Sequence, residues 1–203
     1  MNGELLGFKF GAWEGGHRIP FIARWPGKIE AKTDSDVLVS NIDMLATFAA
    51  LTETELGEEL SADSVNILPA LTGSPEKPLR DHIILAPSKA SNISLRKGKW
   101  MYIAAQGSGG FTAAKRGAHA FGGPAAIHYA GYTNSDIEGG KIKGDAPPAQ
   151  LYDLEADLKQ TQNLHSEYPE VVEEMQALMK SYGLLKPGPA KRPKGKGKQK
   201  AKK

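Results

Sequence analysis

Lys9, His17, Arg18 and Arg24, with Glu14 among them, crowd into one short stretch, Gly7-Phe8-Lys9-Phe10-Gly11-Ala12-Trp13-Glu14-Gly15-Gly16-His17-Arg18-Ile19-Pro20-Phe21-Ile22-Ala23-Arg24-Trp25-Pro26-Gly27. The cations flank a Gly-Gly pair and run into an apolar segment. A strand rooted in a core holds its leading loop still, and a still loop can present cations to phosphate, sulfate or carboxylate. The glycines permit backbone angles that other residues resist. Glu14 is expected to accept bonds from the turn's own amides, and Arg18 to pair with a carboxylate inside the fold.

The spacing Lys9, then Trp13-Glu14-Gly15-Gly16-His17-Arg18-Ile19-Pro20, then Arg24-Trp25-Pro26-Gly27, resembles the lysine and E-G-G-x-R-x-P block of the sulfatase family. Far downstream, Leu151-Tyr152-Asp153-Leu154-Glu155-Ala156-Asp157 with Gln162-Asn163-Leu164 is similar to that family's L-Y-D-L-x-x-D-P-x-E-x-x-N-L signature. Leu158 stands where proline is usual, and Gln160 where glutamate is usual. The likeness spans residues 3 to 182. It implies an α/β sulfatase fold hydrolysing aryl or carbohydrate sulfate esters with a formylglycine nucleophile and Ca²⁺. It also implies that Lys9 contacts a sulfate oxygen, as catalytic and substrate-binding residue. A fixed cation in a dry site stabilises charge developing on the sulfate more than it could in water. His17, beside that loop, is a second candidate, bonding the leaving group; Arg18 is a candidate substrate contact. Asn2-Gly3 resembles the end of a D-N-G turn, which makes Asn2 a candidate metal ligand.

The C/S-x-P-x-R motif that yields formylglycine has no counterpart: there is no Cys, and no Ser sits in S-x-P-x-R. The chain is therefore expected to be the carboxy-terminal part of a sulfatase, inactive alone and short of the six to eight oxygens that calcium wants. Other readings stay open. One is a pseudoenzyme module that binds sulfated glycans without cleaving them; another is a polyanion-binding fragment acting through its tail. Phosphodiesterases and phosphomutases of the alkaline-phosphatase superfamily share the core fold, and the E-G-G-x-R-x-P block favours sulfatase.

The elements that must hold this chemistry can be read from pattern. Residues 19 to 25 predict a short buried strand stopped by Trp25-Pro26-Gly27. Ser40-Asn41 predict an N-cap, with Ile42, Leu45, Phe48, Ala49 and Thr52 at helical spacing and Asp43 in the first turn. Val65 to Leu71 predict a short apolar turn or helix closed by Gly73. His82 to Ala86 predict a strand, and Ile93 to Ala105 a hairpin turning at Lys97-Gly98. Leu151 to Leu154 predict a last strand. Pro169 to Tyr182 predict a helix capped by Ser166, with Val172, Met175, Met179 and Tyr182 buried and Gly183 as its stop. The division expected is residues 1–75 ending a large α/β domain, 76–185 forming a small α+β domain (a short antiparallel sheet with one packed helix), and 186–203 a disordered basic tail. Residues 106–149 read as a long Gly-rich loop. Its Lys115-Arg116, His119 and His128-Tyr129 either reach over the site mouth or sit on a floppy insertion. Its glycine clusters precede no Gly-Lys-Ser/Thr and show no helix start, so no phosphate loop is expected.

Charge sharpens the partners. The net +3 hides a basic tail from Lys186 onward, without which 17 basic residues face 23 acidic ones. The tail predicts weak, salt-sensitive polyanion binding. Lacking aromatics to stack on bases, it does not predict a dedicated nucleic-acid function. No run approaches the ~20 apolar residues of a membrane span. The first twenty residues show no basic-then-apolar signal, and the resemblance implies a periplasmic or secreted parent enzyme.

Overall fold

The computed structural model describes residues 3–73, 75–110 and 123–185. Asn2, the 111–122 part of the long loop with Lys115, Arg116 and His119, and the basic tail lie outside the described residues.

The architecture is mixed α/β, centred on one small antiparallel sheet. Its strands are β1 (His82–Leu85), β2 (Ser94–Lys97), β3 (Trp100–Ile103) and β6 (Gln150–Asp153), in the order β1-β2-β3-β6. Each predicted strand of this sheet is present. The hairpin turns on Gly98-Lys99, one residue later than expected, because Lys97 pairs with Trp100. Gly98 takes the left-handed position (φ 54°) that a side chain resists.

Strand alternation sorts the sheet into two buried faces. Met101, Ile103, Tyr152 and Leu154 point to one, where Leu6, Ala12, Trp13 and Ile127 cover them. Leu95, Tyr102 and Leu151 point to the other, under Val172, Met175 and Met179 of helix α6 (Pro169–Ser181). The stripe predicted for α6 is buried as expected, except that Tyr182 is exposed and bonds His82 Nε2 at 3.1 Å. Tyr168, not Ser166, occupies the N-cap position, and Pro169 opens the helix.

Ahead of the sheet stand α1 (Glu14–His17), α2 (Met44–Leu51), α3 (Glu58–Ser61) and α4 (Leu68–Thr72). Residues 19 to 25 do not form a strand. Ile22 is 91 % and Ile19 66 % exposed. An apolar run becomes a strand only where a neighbour accepts its backbone, and both sheets of the described residues pair elsewhere. The turn at its end is present, with the Lys28 and Ile29 amides donating to the Trp25 carbonyl.

Ser40 caps a 3-10 turn, Asn41–Asp43, that leads into α2 at Met44, but the apolar stripe of this segment faces outward: Ile42, Leu45 and Phe48 are exposed. Its buried face is polar. Asp43 accepts from the Ser40 and Val65 amides and pairs with Arg80, while the Thr47 hydroxyl accepts from the Ile67 amide. These bonds fasten residues 64–67 to the inner side of the helix and leave its greasy side uncovered.

From residue 123 on, the stretch read as a long loop carries regular structure that its composition does not suggest. Helix α5 (Pro124–Tyr129) starts at the Gly123-Pro124 pair, Pro taking the first turn, and buries Ile127 against the sheet. Strands β4 (Ile137–Glu138) and β5 (Lys141–Ile142) form a second, two-stranded hairpin.

Candidate functional site

Because Trp13 fills the centre of one sheet face, the segment that carries Lys9, Glu14, His17 and Arg18 is anchored in the core. It is also closed on itself by backbone bonds. The Gly15 amide donates to Leu6 O (2.7 Å), Gly11 to Phe8 O (3.1 Å) and Gly16 to Trp13 O (2.7 Å). Two further bonds tie it outward: Ala12 N–H to Ser108 O (2.6 Å), and Ser88 N–H to Phe10 O (3.1 Å). Gly16 is required by close approach rather than by a special backbone angle. A Cβ there would lie 2.3 Å from the Gly11 carbonyl oxygen.

The two separated sequence blocks meet here. The buried indole N–H of Trp13 donates to Gln150 Oε1 at 2.8 Å, and the backbone N–H of Glu14 donates to Gln160 Oε1 at 2.8 Å. Tyr152 OH also donates to Gln150 Oε1 (2.7 Å), while Gln150 Nε2 donates to the carbonyls of Ala105 and Gly107. Burial pushes the Tyr152 phenol far above its ordinary range, so it stays a neutral donor. Residues 150–160 thus act as a clamp on the loop at 12–16.

The Glu14 carboxylate does not serve the turn's amides as expected. It is 2 % exposed and sits among cations instead. Arg18 approaches its Oε2 at 3.3 Å and Arg96 at 4.0 Å, while His17 Nε2 stands 3.5 Å from Oε1. Arg18 therefore pairs with an internal carboxylate, as its position predicts. Neither ring nitrogen of His17 has a hydrogen-bond partner among the described residues. Desolvation holds the His17 pKa below its usual value; Glu14 pulls it up, and Arg96 and Arg18 push it down. At neutral pH the ring is a neutral group beside an ion cluster.

His17 forms one wall of an open hollow of about 250 Å³, together with Phe10, Ala12, Leu85, Pro87 and Ser88. Lys9 is exposed, its Nζ 5.0 Å from the centroid of the ring of Phe10, which lines that hollow. Phe10 holds a positive φ of 77°, an uncommon state for a bulky side chain, of the kind that tertiary bonds must enforce. The structure thus gathers Lys9, His17 and Arg18 on one fixed loop. His128 and Tyr129 sit at the exposed end of α5, whose Ile127 shares the sheet face with Trp13.

Among the described residues no group of three His, Asp or Glu side chains could hold a metal. These residues do not fit a calcium site, and no chemical step is derived through one. Sequence reasoning missed Gln150, Gln160 and Arg96. The available signal was the position of Gln160 in the downstream signature, noted there only as a departure from glutamate.

Comparison with known proteins places this arrangement. The Sulfatase family model matches residues 1–54. An N-acetylgalactosamine-6-O-sulfatase of Bacteroides thetaiotaomicron is 32 % identical over 179 residues, 88 % of this chain and 30 % of that protein. Human steryl-sulfatase is 38 % identical over 84 residues, 41 % of this chain and 14 % of that protein. A solved B. thetaiotaomicron structure, from work on the metabolism of multiple glycosaminoglycans, superposes with a TM-score of 0.62 at 30 % identity, covering 89 % of this chain and 32 % of that one. The structure of Ps i-CgsB with k-i-k-neocarrahexaose shares the fold at a TM-score of 0.61 and 20 % identity, over 90 % of this chain and 32 % of that one. Sequence and fold agree: the chain belongs to the sulfatase family, and it spans about a third of the length of the Bacteroides relatives it matches.

Proposed function

We propose that this chain supplies the sulfate-contacting lysine loop of an enzyme that hydrolyses sulfate esters of aryl or carbohydrate substrates. The observation that carries the reading is the clamp itself. Core residues of the sheet and the side-chain carbonyls of Gln150 and Gln160 hold residues 6–16, while Lys9 on that loop is exposed over Phe10, whose ring lines a hollow. A cation fixed before substrate arrives needs no reorganisation during reaction, and that preorganisation lets it lower the barrier to sulfate transfer.

Each residue then has a part. Lys9 neutralises a sulfate oxygen. Arg18, with its side chain 46 % exposed, and Arg96 together outweigh the single Glu14 carboxylate, so positive potential remains for the substrate. His17 is neutral and donates a hydrogen bond from its ring N–H to the leaving-group oxygen; its nitrogens are sealed from solvent in this form, so the ring turns to do so. In a complete enzyme, formylglycine and calcium would be held by residues other than those described here and would supply the nucleophile and further charge neutralisation. The exposed apolar side chains Ile19, Phe21 and Ile22, with Leu45 and Phe48 on α2, are surface that such an enzyme covers with the larger α/β domain to which residues 1–75 belong.

The test is Lys9→Ala in the complete enzyme, with turnover of 4-nitrophenyl sulfate as readout. Loss of one preorganised charge stabiliser is expected to lower kcat by at least ~100-fold. An unchanged rate removes Lys9 from the site. Sulfated-glycan binding without turnover by the unsubstituted complete protein supports a non-catalytic binding role instead.

A further inference from the structure

Helix α1 is a single turn with the wrong residue at its head. A helix start leaves backbone amides without partners, and Ser, Thr, Asn or Asp usually supplies the missing acceptor. Here the N-cap is Trp13, whose side chain makes no cap bond. The Gly15 and Gly16 amides find Leu6 O and Trp13 O. The Glu14 amide is served from 146 residues away, by Gln160 Oε1.

Gln160 occupies its place at visible cost. It is fully buried, its backbone is left-handed at φ 52°, and its Nε2 has no hydrogen-bond partner among the described residues. Its own loop does not need that side chain. Asp157 closes the loop by accepting from the Thr161 and Gln162 amides, and the Gln160 carbonyl is taken by Asn134 Nδ2 at 2.7 Å. A strained residue with an unmatched amide persists where the surroundings over-determine it. Among the described residues, the one hydrogen bond its side chain makes ends on the first residue of α1.

We propose that Gln160 is a positioning residue: its side-chain carbonyl caps α1 from the downstream block and thereby sets where the Lys9–His17 loop stands relative to the sheet. What the loop does once placed rests on the function proposed above; the placement does not. An acceptor at this point is the whole requirement, so glutamate, the residue usual in the signature, also meets it. The downstream block, on this account, matters to the site because it holds the upstream one.

The experiment compares the unsubstituted 203-residue chain with Gln160→Met and Gln160→Glu by amide hydrogen exchange and by NMR titration of the His17 ring. Gln160→Met keeps the volume and removes the acceptor. It is expected to speed exchange at the Glu14 amide about tenfold, the scale of one net hydrogen bond, while the amides of β3 keep their protection. The His17 pKa then moves up toward its ordinary value as water enters. Gln160→Glu is expected to restore protection at Glu14. The proposal is overturned if Gln160→Met leaves Glu14 exchange and the His17 titration unchanged. It is equally overturned if Gln160→Met and Gln160→Glu both lose protection throughout β3, which marks a general core role. A complete enzyme indifferent to Lys9→Ala would sink the function reading and leave these exchange results standing.

Discussion

Replacing Gly16 with alanine tests the loop's construction directly, since one methyl group meets three fixed atoms. The added Cβ would stand 2.3 Å from Gly11 O, 2.8 Å from Gly11 C and 2.9 Å from Phe8 O. All three are backbone, so no side chain can swing aside. Relief requires a displacement of nearly an ångström between the 8–11 turn and α1. Phe8 O already accepts from Gly11 N–H, and the neighbouring Ala12 amide is bound to Ser108 O, so the shift breaks at least one such bond. Overpacking of this kind costs about 1–3 kcal/mol, and a lost hydrogen bond adds about 1 kcal/mol. The expected destabilisation is therefore about 2–4 kcal/mol, a Tm lower by roughly 5–15 °C for a chain of this size. Gly144→Ala is the control: nothing lies within 4 Å of its Cβ, and its φ is not left-handed. That variant should match the parent or gain ~0.4–1 kcal/mol through a less flexible unfolded chain. Thermal unfolding followed by circular dichroism reads both. A Gly16→Ala protein melting within a degree of the parent would show that the turn is loose, and with it the argument that Lys9 is preorganised would fall.

Other outcomes follow from the same contacts. Gln150→Leu strips the acceptor from the buried Trp13 N–H and Tyr152 OH and the donor from Ala105 O, and should cost about 3 kcal/mol or more in a urea titration; a change under ~1 kcal/mol would place water in that network. His17 should make stability fall in mild acid. Its folded pKa is depressed, so the unfolded chain binds the extra proton, and the stabilisation present above the ordinary value of ~6.5 is lost as pH drops through it. The pH dependence of the urea midpoint between pH 7.5 and 5.5 should therefore be weaker in His17→Gln than in the parent; identical slopes would mean that the ring is solvated when folded.

The small sheet and its main helix were legible because their signals are local. Ser94–Lys97, Trp100–Ile103 and Gln150–Asp153 are short runs bounded by turn residues, with Gln150–Asp153 buried throughout because the sheet is covered on both faces, and Val172, Met175 and Met179 repeat at helical spacing. The loop of cations was legible as a likeness, and the pairing of Arg18 with an internal carboxylate as chemistry. The clamp was not. Nothing in the types of Gln150 or Gln160 distinguishes them from solvent-facing glutamines; their roles exist only once β6 brings residues 137 and 146 positions downstream against Trp13 and Glu14. Helix α5 was hidden for a different reason. Its few large side chains give a weak stripe, and the start signal is a Gly123-Pro124 pair that composition assigns to a loop.

Helix α2 shows where pattern reading stops. Its apolar stripe at Ile42, Leu45 and Phe48 is real, and so is the helix, yet the stripe predicts only that some surface will cover that face. Within the described residues the face is bare, and the opposite, polar side makes the contacts, through Asp43 to Arg80 and Val65 and through Thr47 to Ile67. Those bonds join two local segments and place no demand on the apolar side. The same holds for Ile19, Phe21 and Ile22, whose composition asks for a sheet and whose backbone is given none. The absent strand and the bare helix face both fall ahead of residue 74, while the sheet that fulfils its pattern lies after it. The chain spans only about a third of the length of relatives that share its fold. The apolar residues left exposed are therefore those whose matching surface a longer family member has room to supply. The loop carrying Lys9 is anchored apart from those surfaces, because Trp13 is buried against the sheet formed among the described residues.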